Sequence, residues 1–182
     1  MKAMLGALAV AVAALPAFAE ISGDPVTLET LVDRAEMIRI ADAIDAAVDA
    51  KDWTAARSFF TDDITVDFTS LVGGDPATIP ADALIAGWSG TLTEEKQSFH
   101  LRGNHQIVFD GPDAAVLHSH GYAWNRMDRG ALAENGGEAL WEVWGTYLHG
   151  FERTDAGWRV NAMTFTATAE RGSDFARNTP GG

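Results

Sequence analysis

Hydrophobic and polar positions follow two periodicities along the chain, one typical of helices and one typical of strands. Residues 28–50 are rich in Ala, Ile, Asp and Glu and contain neither Pro nor Gly, which predicts a long helix with Thr27 as its N-cap. Asp52 suits the N-cap of a second, short helix. Residues 64–68 then alternate between apolar and polar side chains and predict a short strand, whereas residues 80–88 predict a third short helix.

The second half of the chain consists mainly of long alternating segments, which are typical of β-strands. These segments cover residues 99–109, 114–126, 140–153 and 158–168, with turn or loop sequences rich in Gly and Asp between them. Helices that precede a run of antiparallel strands indicate an α+β domain. Because aromatic side chains recur on one strand face, we expect a strongly curved sheet that wraps around the long helix and leaves a cavity.

The N-terminal 19 residues have the order of a secretory signal peptide. Lys2 gives a positive start, residues 4–15 form an apolar run, and residues 17–19 form the small-residue pattern Ala-Phe-Ala. An uncleaved membrane anchor is the alternative, but the run is shorter than the ~20 residues that span a bilayer. We therefore predict cleavage after Ala19, a periplasmic or secreted product, and no stable membrane association afterwards.

Composition excludes several classes of protein. The chain has 13 Lys and Arg against 26 Asp and Glu, with a net charge of −13, and such a surface repels phosphate backbones and anionic lipids. The chain has no Cys, which excludes disulfides, thiolate metal sites and a Cys nucleophile. We predict one domain over residues 20–170, a loose tail over residues 171–182, and no nucleic-acid partner.

Three carboxylates recur at helical spacing in the long predicted helix. Asp42, Asp45 and Asp49 are three and four residues apart, so they share one face of that helix. Such a stripe is usually a solvated face, and a metal site is the alternative. On the first long strand, Arg102 and Asn104 share alternation parity with His100. Arg102 and Asn104 are candidates for binding a carboxylate or carbonyl oxygen, or else they face solvent.

Two histidines and two aromatic residues share one face of the second long strand. His118, His120, Tyr122 and Trp124 have the same alternation parity, so this face is a candidate pocket wall. With His100 and His105 on the neighbouring strand, four histidines should lie close together. Such clusters also bind zinc or iron, but no carboxylate ligand stands at a recognisable spacing. The chain contains neither a phosphate-binding Gly-rich loop nor a G-x-S-x-G nucleophile motif. We therefore predict neither a metal nor a cofactor.

Three stretches carry a recognisable combination of residues. They are DAAVDAKDWTAARSFFTDDITVDF (residues 45–68), FHLRGNHQIVFDGPDAAVLHSHGYAW (residues 99–124) and GTYLHGFERTDAGWRV (residues 145–160). These stretches resemble the SnoaL-like branch of the nuclear transport factor two-like superfamily. The resemblance implies a cone-shaped α+β barrel with a curved sheet around a long N-terminal helix. It also implies a deep pocket for a small molecule and assembly as a homodimer or homotrimer.

At the catalytic positions the sequence is similar to scytalone dehydratase and bile acid dehydratase. Their catalytic Asp matches Asp49 in VDAKDW, and their catalytic His matches His100 in SFHLRGN. The tyrosines that accompany this pair are replaced by Val48, Phe68 and Ile44. Ketosteroid isomerase, which has the same fold, would need Asp at the position of Phe68 and Tyr at that of Ile44, which argues against steroid isomerase chemistry.

The resemblance implies proton transfer by a histidine that a carboxylate holds in one tautomer. We predict a cofactor-independent lyase (dehydratase) or isomerase that uses Asp49 and His100 on a small, carbonyl-containing molecule. The predicted substrate-binding side chains are Tyr122, Tyr147, Trp124, Phe68, Asn104, Arg102 and His120. Tyr122 or Tyr147 would replace the missing tyrosines as hydrogen-bond donors. The alternative is a non-catalytic exported protein that binds or sequesters its ligand.

Overall fold

A computed structural model describes residues 23–127 and 139–178, which form five helices and six strands. The helices are α1 (Leu31–Asp49), α2 (Trp53–Ser58), α3 (Thr69–Val72), α4 (Ala81–Thr91) and α5 (Asp174–Asn178). The strands are β1 (Phe60–Asp67), β2 (Ala77–Pro80), β3 (Lys96–Phe109), β4 (Ala114–Met127), β5 (Leu140–Thr154) and β6 (Gly157–Gly172). The predicted signal peptide lies outside the described residues. Within the described ranges, no helix is long and apolar enough to cross a membrane.

The predicted helices and strands are present, and most of their ends are displaced by a few residues. Asp52 caps α2, because its Oδ1 accepts a hydrogen bond of 2.9 Å from the backbone N–H of Ala55. The long helix begins later than predicted: Thr27 and Thr30 hydrogen-bond to each other in a turn before it, with their hydroxyl oxygens 3.1 Å apart. The short elements α3 and β2 were not predicted, because four residues are too few to show a periodicity.

The six strands form one mixed sheet in the order β2-β1-β6-β5-β4-β3. Neighbouring strands are antiparallel except β1 and β6, which are parallel. The predicted α+β fold with a strongly curved sheet against a long N-terminal helix is confirmed. The sheet is open rather than a closed barrel, because β2 and β3 are its two edges.

One face of α1 packs into the concave side of the sheet. Met37, Ile40 and Ile44 recur at helical spacing and are at most 1% exposed. Each contributes about 1.5–3 kcal/mol of transfer free energy when it is fully buried. The sheet side chains in the same core are Leu117, Phe151, Val160 and Met163. This packing fixes the polar end of α1 over β3, where the candidate site lies.

A β-bulge interrupts the edge strand β3. The pairing with β4 shifts between Gly103 and Gln106, and Asn104 adopts a φ of 55°, in the left-handed region that Asn tolerates better than most residues. Before the bulge, even-numbered residues such as Arg102 face α1. After it, odd-numbered residues such as His105 and Ile107 face inward. The extra residue therefore reverses the alternation in the middle of the strand.

The folded part of the chain extends beyond residue 170, the predicted end of the domain. β6 pairs with β5 up to Gly172. The φ of Gly172 is 108°, in the left-handed region that glycine adopts without strain. α5 follows, with Ala176 fully buried and Arg177 Nη2 donating a 2.7 Å hydrogen bond to the carbonyl of Leu71. The prediction of a loose tail from residue 171 is therefore wrong for residues 171–178, because burial and backbone pairing hold them. Residues 179–182 lie outside the described part.

Candidate active site

Three carboxylates of α1 face three basic side chains of β3, one to one. The pairs are Asp49 with His100, Asp45 with Arg102, and Asp42 with His105. The spacings match because four helical residues rise ~6 Å and two strand residues advance ~6.6 Å. The bulge in β3 keeps the third pair in step. The acidic stripe is therefore mostly the inner, paired face of α1, and only its outermost member, Asp42, is largely exposed.

The Asp49–His100 pair is held by several hydrogen bonds. His100 Nδ1 lies 2.7 Å from Asp49 Oδ1, and the backbone N–H of His100 donates a 2.7 Å hydrogen bond to Asp49 Oδ2. The hydroxyl of Ser98 donates a further hydrogen bond of 2.9 Å to Oδ1, and Lys51 Nζ donates to Ser98 Oγ at 2.8 Å. Both oxygens of the carboxylate are therefore satisfied, and the imidazole has a fixed orientation.

The ionisation of Asp49 determines the tautomer of His100. Burial by itself raises the pKa of Asp49. The hydrogen bonds from the ring and backbone of His100, the charge of that ring and the Ser98 hydroxyl outweigh burial, and the net pKa lies below its ordinary value. In the neutral form of the ring, an ionised Asp49 accepts the Nδ1 proton, so Nε2 keeps its lone pair. Since His100 lines the cavity, this lone pair is available to a bound molecule.

The second pair, Asp45–Arg102, lies deeper. Arg102 Nε and Nη2 donate to the two carboxylate oxygens of Asp45 at 2.5 Å each, and Nη1 donates to His149 Nε2 at 2.7 Å. The Arg102 side chain is only 2% exposed. Burial lowers the pKa of His149 well below its ordinary value, and the charge of Arg102 lowers it further, so His149 is neutral.

Tyr147 of β5 lies against this buried pair. Its ring centroid is 3.8 Å from Arg102 Cζ and 4.5 Å from the ring centroid of Phe165. No described residue hydrogen-bonds to its hydroxyl, and the side chain lines the cavity. Burial raises the pKa of Tyr147, so the phenol stays protonated at neutral pH and is a hydrogen-bond donor.

These side chains surround a cavity of about 480 Å³, a size typical of sites for small organic ligands. Four aromatic residues contribute most of the flat apolar wall: Phe68, Trp88, Trp141 and Phe165. Ile44 and Val48 of α1 extend that wall. The polar groups on it include His100, Arg102, Tyr147 and Asn125. The cavity is therefore largely apolar and carries several polar side chains, with Lys96 and Arg177 also in its lining.

The predicted site residues divide between the two faces of the sheet. His100, Arg102, Phe68 and Tyr147 line the cavity, and Asp49 lies directly behind His100. The other four predicted ligand-binding side chains do not line it: Asn104, His120, Tyr122 and Trp124. The prediction that His118, His120, Tyr122 and Trp124 form a pocket wall is wrong, because even-numbered residues of β4 point to the convex face.

Contacts on the convex face account for these four side chains. Tyr122 donates a 2.6 Å hydrogen bond to Glu142, and Trp124 stacks on Phe99 with ring centroids 5.9 Å apart. The bulge turns Asn104 outward, where its side-chain nitrogen lies 3.1 Å from His120 Nδ1. The shared parity of His100 and Asn104 that the sequence suggests is thus broken by the one extra residue.

The histidines do not gather into one cluster. His118 and His120 have ring centroids 5.8 Å apart on the convex face, whereas His100 and His105 face α1 on the other side of the sheet. Among residues 23–127 and 139–178, no group of three or more His, Asp or Glu side chains is arranged to hold a metal ion. The predicted proximity of four histidines is therefore wrong.

Sequence reasoning missed several residues of the site, including the polar side chains of His149, Ser98 and Asn125. His149 shares parity with Tyr147, and strand alternation alone places both on one face. Ser98 shares parity with His100 in the same way. Asn125 of β4 lies opposite Ser98 in the β3–β4 register. The signal was present in the alternation, but it does not tell which face is concave.

The family model for the SnoaL-like domain matches residues 29–164, and the chain belongs to this family. No curated protein matches the sequence. Among solved structures, the Kfla4162 protein from Kribbella flavida is 28% identical, with a TM-score of 0.72 over 77% of this chain and 93% of that chain. The resemblance to the nuclear transport factor two-like superfamily is thereby confirmed.

Two structures with enzyme names share the fold at lower identity. A candidate scytalone dehydratase from Novosphingobium aromaticivorans DSM 12444 is 18% identical, with a TM-score of 0.68 over 83% of this chain and 94% of that chain. The hexachlorocyclohexane dehydrochlorinase LinA-type3 from Novosphingobium barchaimii LL02 is 15% identical, with a TM-score of 0.62 over 84% and 98%. At these identities the likeness shows the fold alone.

Proposed function

We propose that this SnoaL-like protein is a cofactor-independent lyase or isomerase that acts on a small, cyclic or aromatic, carbonyl-containing molecule. The observation that carries the proposal is the hydrogen-bonded Asp49–His100 pair on the wall of an apolar cavity. The dehydratase and dehydrochlorinase names of two structural neighbours support a lyase-type reaction. A histidine base oriented by a carboxylate is suited to taking a proton from carbon next to a carbonyl group.

His100 moves the proton in the proposed dehydration. Its Nε2 takes the proton from the carbon α to the carbonyl, and the electrons of that C–H bond form the new C=C bond. The C–O bond of the β-hydroxyl breaks, and the leaving oxygen takes the proton back from His100 to give water. In an isomerisation, His100 returns the proton to a different carbon. Asp49 stabilises the imidazolium between the two transfers.

Tyr147 is the proposed donor to the substrate carbonyl. Negative charge develops on the carbonyl oxygen as the α-proton leaves, and a fixed donor in an apolar site stabilises this charge. The Tyr147 hydroxyl is protonated, and no described residue forms a hydrogen bond with it. In this proposal Tyr147 replaces the tyrosines of the similar dehydratases, because this chain has Ile44, Val48 and Phe68 at their positions. Tyr122 is excluded from this part because it lies on the convex face.

The aromatic wall determines the class of substrate in this proposal. Phe68, Trp88, Trp141 and Phe165 present flat apolar surfaces against which a ring stacks. Such a wall also excludes water, which strengthens the hydrogen bonds of His100 and Tyr147 to the substrate. A cavity of about 480 Å³ lies within the range of sites that bind small organic molecules.

The test is proton exchange in D2O with a panel of cyclic and aromatic ketones, with and without a β-hydroxyl. The wild-type protein should exchange the α-proton, or eliminate water, with compounds that fit the cavity. His100→Gln should lose this activity, whereas His120→Gln on the convex face should retain it. Exchange that survives in His100→Gln would remove the proposed base.

A second candidate function is non-catalytic binding of the same class of molecule. The apolar side chains Ile44, Val48 and Phe68, at places where the similar dehydratases have tyrosines, favour it. Isothermal titration with the same ketones separates the two candidates. A binder would hold its ligand equally well in the wild-type protein and in His100→Gln, and it would exchange no proton in either.

We also propose that the protein is exported and assembles as a homodimer or homotrimer. The signal-peptide pattern of residues 1–19 supports export. Exposed apolar side chains on β3 support assembly through the convex face: Phe99 is 41% exposed and Leu101 is 59% exposed. Intact mass and light scattering of the exported protein test both points. A chain that retains residues 1–19, or a monomer at micromolar concentration, would contradict the respective proposal.

A further inference from the structure

The Tyr147 ring is packed against three other groups. Arg102 lies against one face of the ring, with Cζ 3.8 Å from the centroid. Phe165 contacts it at a centroid distance of 4.5 Å, and the ring packs on Gly121 of β4, where a Cβ would overlap the ring atoms. A ring packed in this way has one orientation, with its hydroxyl at the cavity.

The guanidinium of Arg102 is itself fixed on three sides. Nε and Nη2 bind the Asp45 carboxylate, Nη1 binds His149, and the plane of the group rests on Tyr147. The Arg102 and Asp45 side chains are 2% and 9% exposed. Such enclosure limits the contact of Arg102 with a ligand, and Tyr147, which lies against the guanidinium, lines the same cavity. A guanidinium that stacks on an aromatic ring also attracts electron density in that ring.

We propose that the Arg102–Asp45 pair is a positioning device for Tyr147, an inference that rests on the proposed role of that tyrosine. The pair holds the phenol ring in one orientation, and the positive charge of Arg102 strengthens the hydroxyl as a donor when a bound oxygen gains negative charge. Arg102 is thus a positioning residue that acts through Tyr147. Asp45 fixes the guanidinium and limits the strength of its field.

Arg102 and Asp45 have opposite effects on the pKa of Tyr147. Burial raises the pKa of Tyr147, the charge of Arg102 lowers it, and the charges of Asp45 and Asp49 raise it. The fourth titratable neighbour, His149, is neutral and adds no charge. A positioning device of this kind therefore predicts that loss of Arg102 and loss of Asp45 shift the phenol in opposite directions. General loosening of the core would shift it in one direction for both.

The chain has two tyrosines, so Tyr122→Phe leaves Tyr147 as a single spectroscopic reporter. In that background, incorporation of a trifluorotyrosine brings the phenol into a range where it titrates without unfolding the protein. Arg102→Met should raise its pKa by on the order of one unit, and Asp45→Asn should lower it. Arg102→Lys, which keeps the charge, should stay nearer the wild type. Shifts of the same sign in Arg102→Met and Asp45→Asn, or no shift in either, would overturn the inference.

A second measurement covers the case in which Arg102→Met does not fold. With tyrosine labelled at both ε carbons, a fixed Tyr147 ring gives two NMR signals, and a freely flipping ring gives one averaged signal. The wild-type protein should show slow flipping, and Arg102→Lys should flip at least tenfold faster, because an ammonium does not stack flat on the ring. Equal flipping rates would show that Arg102 does not hold the ring.

These measurements need no ligand, so they separate the inference from the proposed function. If no ketone exchanges a proton but the titrations behave as described, the positioning device stands and the reaction is wrong. If exchange occurs while Arg102→Met and Asp45→Asn leave the Tyr147 phenol unchanged, the reaction stands and the positioning device is wrong.

Discussion

Asp45 and Asp49 lie one turn apart on the same face of α1, yet their partners differ in kind. Asp45 holds Arg102, a permanent cation whose side chain is 2% exposed. Asp49 holds His100, a titratable base whose side chain is 18% exposed and lines the cavity. Since the guanidinium of Arg102 stays charged at any pH that proteins tolerate, only the Asp49–His100 pair of these two can transfer a proton.

The difference shows how depth selects a role for each pair. A charge as deep as that of Arg102 is tolerated because two charge-assisted hydrogen bonds to Asp45 offset its desolvation. A histidine that must gain and lose charge needs a nearer approach to the cavity, with one nitrogen held and the other open. On α1, the permanently charged Asp45–Arg102 pair therefore lies one turn before the Asp49–His100 pair, which transfers the proton. Four predictions test this division.

The largest expected effect is on catalysis. Asp49→Asn places an amide where the carboxylate accepts the Nδ1 proton, and it favours the tautomer in which Nε2 carries the proton. We expect kcat on a compound found by the exchange assay to fall about 10⁴-fold, with little change in fold by circular dichroism. Activity within tenfold of the wild type would remove Asp49 from the mechanism.

The second prediction concerns stability and Asp45. Asp45→Asn leaves the buried guanidinium without its counter-charge, which should lower the free energy of unfolding by about 3–5 kcal/mol in urea. The double variant Asp45→Leu with Arg102→Met should recover most of the loss, because it removes both charges. Asp49→Asn serves as the matched control and should cost less, since His100 can discharge. Equal losses for the two Asn variants would abolish the contrast between the pairs.

The third prediction separates the two tyrosines. Tyr147→Phe removes the proposed donor to the carbonyl and should lower kcat by about 10²–10³-fold. Tyr122→Phe removes a hydroxyl of the convex face and should leave kcat unchanged. Steady-state kinetics on the same compound measure both. A loss in Tyr122→Phe as large as that in Tyr147→Phe would place the reaction on the wrong face of the sheet.

The sequence was sufficient for the order of helices and strands and, through resemblance, for the pairing of Asp49 with His100. It was not sufficient to distinguish the two faces of β4. Alternation correctly groups Tyr122 and Trp124 on one face, but their size suggests a pocket wall. The concave face carries small residues instead, such as Gly121 and Ala123, and at Gly121 the reason is the Tyr147 ring that fills the space.

The bulge of β3 is the other feature that alternation does not reveal. Asn104 is one of the few residue types that adopt a positive φ readily, but Asn in a strand does not by itself indicate a bulge. Only the fit of β3 to α1, in which Asp42 must meet His105, requires the extra residue. Tertiary packing thus decides which polar side chains share a face.

The smallest expected effect is the pH dependence that the deep cluster gives to stability. Burial lowers the pKa of His149 well below its ordinary value, whereas in the unfolded chain it is about 6.5. Below about pH 6.5 the unfolded chain therefore binds a proton that the folded chain does not bind, so the free energy of unfolding falls as the pH falls.

His149→Gln keeps an oxygen that accepts the Arg102 hydrogen bond but has no proton to bind. Its free energy of unfolding should fall less steeply between pH 7 and pH 5, by up to about 1.4 kcal/mol per pH unit. Part of the slope should persist, because burial also lowers the pKa values of His105 and His118. Urea unfolding at three pH values measures the slopes, and His120→Gln is the exposed control. An unchanged slope in His149→Gln would mean that the folded protein carries a charge on His149 beside Arg102. The group beneath Tyr147 would then contain two cations rather than a single ion pair with a neutral histidine.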